Sequence, residues 1–578
     1  MRPMLCLACS ICLMFSAHTE VTPDYVVAPD GNDSNPGTPD KPFATIEKAQ
    51  ETVRGVLAGG ADKDIVVALR GGRYALENTL VFKPFDGGNA EHSVTYMAWP
   101  GETPVLSGGR VIADWTHKGK DLWETTVPDN LAFRQIFKDG QRLVRGRYPN
   151  YPDFLTLKDV SSDATRLVLN ETIPEMDLAG ENVELVVLQN WAITRGIIKT
   201  ATDNTFTTVT PMGWIGHPWT TASAGKPAFL ENAAGFVDVP GEWYLDYETG
   251  VLTYQAAPDE NPNDSVFIAP TLEQILLVEG DPEHQVMNLH FVGLRMEHAE
   301  WKLPEQGYRG IQACHYGTTL EERAYPVGGG IEFSYTENCS IERCVITHFG
   351  PSGIVFGPRT RNNAIIGCLV EDVGCNGIMV GWRMKAELGP PDRHPGNLLD
   401  SDWRDTRDAP TNNQVISNIV RNCGAINYGA VGIYDAFCSG TRIAHNLVYD
   451  MPYTGISVGF RWSTVPSSQR DTRIEYNHVH NVMTKLADGG CLYTLGYQPG
   501  AVVRGNVFHD ALRSAFAHGG APNNGIFFDE GTKGIAVVSN TIYNCSGGPI
   551  RFHRTDKDNM TWKDNSFGVG IHYHGKPQ

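Results

Sequence analysis

The sequence predicts a mainly β protein built as a parallel β-helix, with an N-terminal cap and an inserted β-sandwich-like domain. Two features of the C-terminal half carry the solenoid: an alternating strand that recurs with a polar or small residue near its end, and a glycine-bounded strand that follows several of its copies. A third feature carries the insertion. Between the N-terminal segment and the repeat lies a stretch with hairpin signals and no solenoid period.

The chain has 578 residues, 41% of them hydrophobic, enough for two or three domains around large cores. Its 61 glycines suit an architecture of strands and tight corners. A net charge of −19 argues against nucleic acid, which calls for a basic face.

Residues 1–17 read as a secretion signal. Arg2 precedes an apolar run from Met4 to Phe15, and Ser16-Ala17 offers a small-residue cleavage region. The run is too short to cross a bilayer as a helix, and no later stretch is apolar enough. A secreted or periplasmic protein without a membrane span is therefore expected. A lipoprotein reading through Leu7-Ala8-Cys9 has little apolar sequence ahead of it. Cleavage removes Cys6, Cys9 and Cys12, leaving nine cysteines from Cys314 to Cys545. An odd number cannot all pair within the chain, and no CxxC metal pair remains. Cys344 and Cys368 fall at equivalent repeat positions, which points to stacked, buried thiols.

Residues 18–112 read as the cap and first rungs. Tyr25–Ala28 is a strand, and Asp30–Gly37 is a turn cluster, read as a solvated loop in preference to a Ca²⁺ site. Thr45 caps a helix over Ile46–Leu57, with Glu47 early and Arg54 late. Ile65–Leu69 is a buried strand. Such a segment covers the open end of a solenoid, which otherwise exposes unpaired backbone.

Residues 113–267 form the insertion. Arg134–Phe137 and Val183–Leu188 read as strands. Gly241–Asp246 and Val251–Tyr254 form a hairpin through Glu248-Thr249-Gly250. Trp191, His217 and Trp219 are candidates to wall a sugar site, with ordinary core packing the alternative for each.

Residues 268–578 hold the repeat. Its first element runs through Cys344, Cys368, Asn418, Asn446, Asn477, Asn506 and Asn540, at successive spacings of 24, 50, 28, 31, 29 and 34 residues. The 50 contains an insertion over Met384–Asn412. Asparagines at one fixed position can bond their equivalents in the rungs above and below, so a structural ladder is expected. The second element reads Gly353–Arg359, Gly377–Arg383, Gly455–Arg461 and, less perfectly, Gly525–Glu530. Alternation points its fifth place outward, giving a column of Gly357, Gly381 and Gly459 that carries Asp529 in the last copy.

Two acidic segments stand out, Ala487-Asp488-Gly489-Gly490 and Phe528-Asp529-Glu530-Gly531. In three rungs the second strand starts nine residues after the Cys or Asn position. Counting nine from Asn477 puts Asp488 third and outward, two places along the strand from Asp529 on the next rung. That is about 8 Å between Cα atoms, within side-chain reach of the carboxyl separations glycosidases use. Glycoside cleavage needs this pair: one carboxylate attacks the sugar or activates water, and one carboxylic acid protonates the leaving oxygen. Neighbouring acids also drive their proton affinities apart. The competing reading is two polar turns.

With these motifs, Asp488-Gly489-Gly490-Cys491-Leu492-Tyr493 and Asp529-Glu530-Gly531, and its capped and interrupted solenoid, the chain resembles right-handed parallel β-helix glycoside hydrolases. Glycoside hydrolase family 141, of α-L-fucosidases and a xylanase, is the nearest match, and family 120 a more distant one. The resemblance implies a retaining mechanism, an α-L-fucosidase as the leading activity, and a catalytic pair at Asp488 and Asp529. It assigns Asp488 as nucleophile and Asp529 as acid/base, with Glu530 the rival to Asp529. Substrate is expected at Arg461 and Trp462, at Trp382 beside Arg383, at His509, His518 and His553, and at Asp435, which alternatively only closes a turn. His518 is favoured among the histidines. No cofactor or metal is expected, and the partner is a polysaccharide or oligosaccharide.

Three other readings stand beside this one. A β-xylosidase or xylanase fits the same fold. A polysaccharide lyase calls for a base and usually Ca²⁺; no lysine lies between Asp488 and Glu530, though Lys485, Arg504 and Arg513 keep it open. A non-catalytic carbohydrate-binding β-helix calls for an aromatic strip without paired acids.

Overall fold

The computed structural model describes residues 22–128, 131–173, 182–215, 217, 220–317, 325–381, 407–517 and 520–568. The signal segment, Trp219, Trp382, Arg383 and His518 lie outside them.

Three long sheets, of 12, 10 and 11 strands among the described residues, run the length of the molecule. Each full rung gives one strand to each sheet, and every strand pairs in parallel with its counterpart one rung on, as Gln414–Ile416 does with Arg442–Ala444. Alternating side chains of all three sheets fill one central core, with Ile365, Val415, Ile443, Ile474 and Val503 stacked in register and fully buried. This is the expected parallel β-helix.

Corners are fixed by the asparagine ladder. The Asn446 backbone N–H and side-chain amide both donate to Asn477 Oδ1, at 3.0 and 2.9 Å. Asn477 does the same to Asn506, and Asn506 to Asn540. The ladder continues one rung past the predicted set, to Asn565. Cys368 begins it at the other end, donating its N–H to Asn418 Oδ1 at 2.9 Å. Cys344 and Cys368 are buried thiols, as expected, and all nine described cysteines are buried and unpaired by disulfides.

Helix α1 (Ile46–Ala58) starts at Thr45, whose hydroxyl accepts from the Lys48 N–H. It turns Ile46, Ala49, Gln50 and Val53 onto the first rungs. In the preceding turn the Asp33 carboxylate accepts from Ala44 N, Thr45 N and Thr45 Oγ1, which makes it a brace for the cap.

The inserted segment is antiparallel. Glu242–Leu245 pairs with Val251–Gln255 in the expected hairpin. Glu184–Leu188 pairs with Ile193–Thr202 on one side and Pro227–Glu231 on the other, closing most of an eight-stranded sheet on itself. Of the strand expected at Arg134–Phe137, only Phe137 is kept, in Phe137–Lys138. The insertion has two apolar clusters of its own, around Leu185 and around Trp243, and grips the β-helix through Val186, Leu188, Ile193 and Phe229, which join the β-helix core, and through polar contacts. Arg195, paired with Glu231, donates to the Ile426 carbonyl at 2.8 Å, and Arg142 donates to Asp372 Oδ1 at 2.8 Å.

Candidate active site

Four strands of the ten-stranded sheet build the site: β1 (Ile456–Val458), β2 (Gly489–Thr494), β3 (Asn523–Phe528) and β4 (Ile550–Phe552). Their register aligns Ser457, Tyr493, Phe527 and Arg551 in one row on the outer face. Inward neighbours such as Ile456, Leu492 and Ile526 join the core.

Asp529 follows β3, in the fifth place of the repeat as expected. Asp488 does not sit where the nine-residue offset put it. The turn after Asn477 is five residues longer than those after Cys344, Cys368 and Asn446, so Cys491, not Leu486, aligns with Gly455. Asp488 therefore precedes β2, while Asp529 lies past the end of β3. The two acids reach the outer row from opposite ends. The glycine column is also not the ligand floor that alternation suggested. A Cβ on Gly381 or Gly459 would overlap the backbone of the next rung, at Ala436 and Leu495, so these glycines serve rung packing.

Both acids nonetheless face one cavity of about 720 Å³, between this sheet and the insertion. Asp488, Asp529, Glu530, Trp462 and His553 line it from the β-helix, and Trp191 and His217 from the insertion. Arg551 Nη1 donates to Asp488 Oδ1 at 2.6 Å, with its guanidinium 4.0 Å over the Phe527 ring. Tyr453 donates its hydroxyl to the Asp488 carbonyl at 3.0 Å. Burial pushes the Asp488 carboxyl above its ordinary proton affinity; Arg551 opposes this, and the negative charge of Asp529 adds to it. Asp529 accepts from Tyr493 at Oδ2, at 2.5 Å, and lies 2.7 Å from His553 Nδ1 at Oδ1. That hydrogen bond raises the proton affinity of His553. Glu530 pairs with Arg554 at the rim.

Local backbone explains the glycines of both motifs. Asp488 is in the left-handed region at φ 68°, and a Cβ at Gly490 would overlap the Asn524 carbonyl of the next rung. Gly531 has φ 74° and abuts the Ser463 backbone.

Three expected substrate residues do not line the cavity. His509 belongs to a ring stack on another sheet, 5.0 Å from His480 and 4.6 Å from Tyr543, with Nδ1 2.8 Å from Asp510. Asp435 is in register with Val458 and points into the core, where Gln469 and Thr472 donate to its Oδ2 at 2.8 and 3.3 Å. Arg461 is buried. Sequence reading missed Arg551, Tyr493, Tyr453, Gln312 and Trp214, which all line the cavity. Away from it, Glu297, His298 and His348 come close enough to suggest a metal site. The two imidazoles stack at 5.3 Å, which hinders a shared in-plane ligand, and Glu297 already pairs with Arg295.

A family model described as the GH141 insertion domain matches residues 120–257. No curated protein matches the chain. A solved structure described as a glycoside hydrolase is similar over 94% of this chain and 96% of its own, at 24% identity and a TM-score of 0.84. A complex of XylC with xylose is similar over 95% of this chain and 76% of its own, at 14% identity and a TM-score of 0.55. The insertion-domain match supports a glycoside hydrolase of the GH141 type, and the two structures share its fold.

Proposed function

We propose that this protein is a glycoside hydrolase that releases a terminal sugar from a complex polysaccharide by a two-carboxylate, retaining mechanism, with an α-L-fucoside as its leading substrate. The observation that carries the reading is that Asp488 and Asp529, from consecutive rungs, face one cavity, each held by different partners. Substrate class rests on the GH141 insertion domain and on the resemblance of both acidic motifs to that family. A β-xyloside is the second reading, favoured by the likeness to XylC, whose structure holds xylose. The apolar run from Met4 to Phe15 supports a secreted or periplasmic protein.

The hydrogen bonds favour the reverse of the roles implied by resemblance. Asp529 has one donor at each oxygen, an arrangement that fixes the carboxyl group in place and suits the nucleophile. Asp488 is partly buried and raised in proton affinity, which suits the acid that protonates the leaving oxygen and then, as a base, activates water. Tyr493 and His553 hold Asp529 in place, and Arg551 holds Asp488.

The test is hydrolysis of aryl α-L-fucosides and β-xylosides by wild type, Asp488→Asn and Asp529→Asn. A substrate cleaved by wild type is expected to lose about 10³-fold or more in rate with Asp529→Asn. A near-normal Asp529→Asn rate removes the proposal.

A further inference from the structure

The five extra residues that displace Asp488 also fasten it. Met483 N donates to the Tyr453 carbonyl at 2.9 Å, and Lys485 N and Leu486 N donate to Pro452 at 3.1 and 3.0 Å. Ala487 N donates to the Asn190 carbonyl of the insertion at 2.8 Å. Leu486 and Ala487 are buried, whereas Lys485 carries its charge away from the cavity.

Among the described residues no carboxylate pairs with Lys485. Its ammonium lies over three rings, 4.4 Å from the centroid of Tyr151, 4.9 Å from Tyr428 and 5.7 Å from Phe516. It also reaches the Tyr151 hydroxyl at 3.4 Å. The rings come from three places. Tyr151 belongs to the insertion, Tyr428 to a turn of the β-helix, and Phe516 to the segment that continues into the cavity residues Gly520, Ala521 and Pro522. Phe154 of the insertion packs on Phe516 with ring centroids 5.0 Å apart. Tyr151 is 55% exposed, so one side of this cage is wet. A cation that attracts ring faces while its head stays hydrated fits such a place better than an apolar side chain.

We infer that Lys485 is a positioning residue, the cationic pin that ties the Asp488 turn, the cavity rim and the insertion into one unit. The inference rests on the reading of Asp488 as catalytic. Lys485 touches no reacting atom; it acts by keeping the Asp488 carboxyl dry and aimed.

The experiment compares Lys485→Met, which keeps the stem and drops the charge, with Lys485→Arg, which keeps the charge, on whichever of the aryl α-L-fucosides and β-xylosides wild type cleaves. Lys485→Met is expected to lower kcat by about 10- to 100-fold, with KM moved less than about threefold. The limb of the pH profile set by Asp488 is expected to shift toward acid, because a looser turn admits water to the carboxyl and removes the cause of its raised proton affinity. Lys485→Arg is expected to keep kcat within about threefold. Should Lys485→Met fail to fold, Tyr151→Leu, at the exposed ring, is expected to lower kcat severalfold with the same acid shift.

Wild-type kcat and pH profile in Lys485→Met overturn the inference, as does an unchanged profile in Tyr151→Leu. Asp488→Asn separates the two levels. An Asp488→Asn with wild-type kcat on a glycoside of a poor leaving group removes the catalytic reading itself, whereas one inactive on that substrate beside a wild-type-like Lys485→Met removes only the pin.

Discussion

Tyr493 and Asp529 meet across two neighbouring rungs, the phenol donating to Asp529 Oδ2 at 2.5 Å. The ring is held edge-on to Phe527, 5.2 Å away and in register with it. Tyr493→Phe keeps that packing and removes only the donor. Because the hydrogen bond holds the Asp529 side chain in place inside a cavity, its loss is expected to lower kcat by about 10- to 100-fold. Steady-state kinetics beside a thermal melt within a few degrees of wild type checks this. A variant with wild-type kcat takes Tyr493 out of the mechanism.

If Asp488 is the acid, the two aspartates differ in how they depend on the leaving group. A good leaving group departs without a proton, so Asp488→Asn is expected to keep a kcat/KM close to wild type on a dinitrophenyl glycoside, while its kcat falls because the base that activates water is gone. On a poor phenol or a natural alcohol it is expected to lose about 10²-fold or more. Asp529→Asn is expected to fail on both. Rates across a series of aryl glycosides of rising leaving-group pKa read this directly. The opposite pattern restores the roles that the family resemblance implies.

The β-helix was legible because its signal is redundant. Each rung repeats both an alternating strand and a corner residue, and from Asn418 on an asparagine at one corner fixes the register even where the spacing changes from 28 to 34 residues. Asn565 escaped notice because it falls only 25 residues on, in a last rung too short to show the pattern. The acids themselves were legible as carboxylates flanked by glycines in a repeating frame. Their relative placement was not, because the turns that lead to the two acids differ in length from each other and from the turns that set the nine-residue offset. Arg551 and Tyr493 were invisible for a related reason. They become site residues only when register sets them in one outer row, and a long side chain then reaches an acid several places away. Asp435 looked like a surface acid beside a strand, but alternation turns it inward to Gln469 and Thr472.

The raised proton affinity of Asp488 has a consequence for stability. Its ordinary value is 3.8, and the folded value is higher, so the folded chain holds a proton there that the unfolded chain releases. Stability linked to that proton is complete below about 3.8 and is lost as the pH rises through the folded value. Asp488→Asn has no proton to lose, and its amide oxygen still accepts from Arg551. The melting temperature of Asp488→Asn minus that of wild type is therefore expected to be near zero around pH 4 and to grow positive toward pH 7. Differential scanning calorimetry across that range checks it, and a difference independent of pH removes the claim that burial governs this carboxyl.

The corner ladder yields a test in which stability and activity part company. Asn477 Oδ1 accepts both the backbone N–H and the side-chain amide of Asn446, and its own amide donates to the Ile443 carbonyl at 2.9 Å. Asn477→Ala strands these groups in a corner that is 1% exposed, where water does not replace the lost bonds. A cost of about 2–4 kcal/mol is expected from several buried partners left unsatisfied. Asn565→Ala, at the end of the same ladder and closer to solvent, is expected to cost about 1 kcal/mol. Neither residue lines the cavity, so the fraction still folded at low temperature is expected to keep the wild-type kcat. Denaturant unfolding of the two variants beside active-site-normalised rates distinguishes the outcomes. Equal destabilisation by Asn477→Ala and Asn565→Ala would show that the ladder is not cooperative, and that each rung is held by its own strands alone.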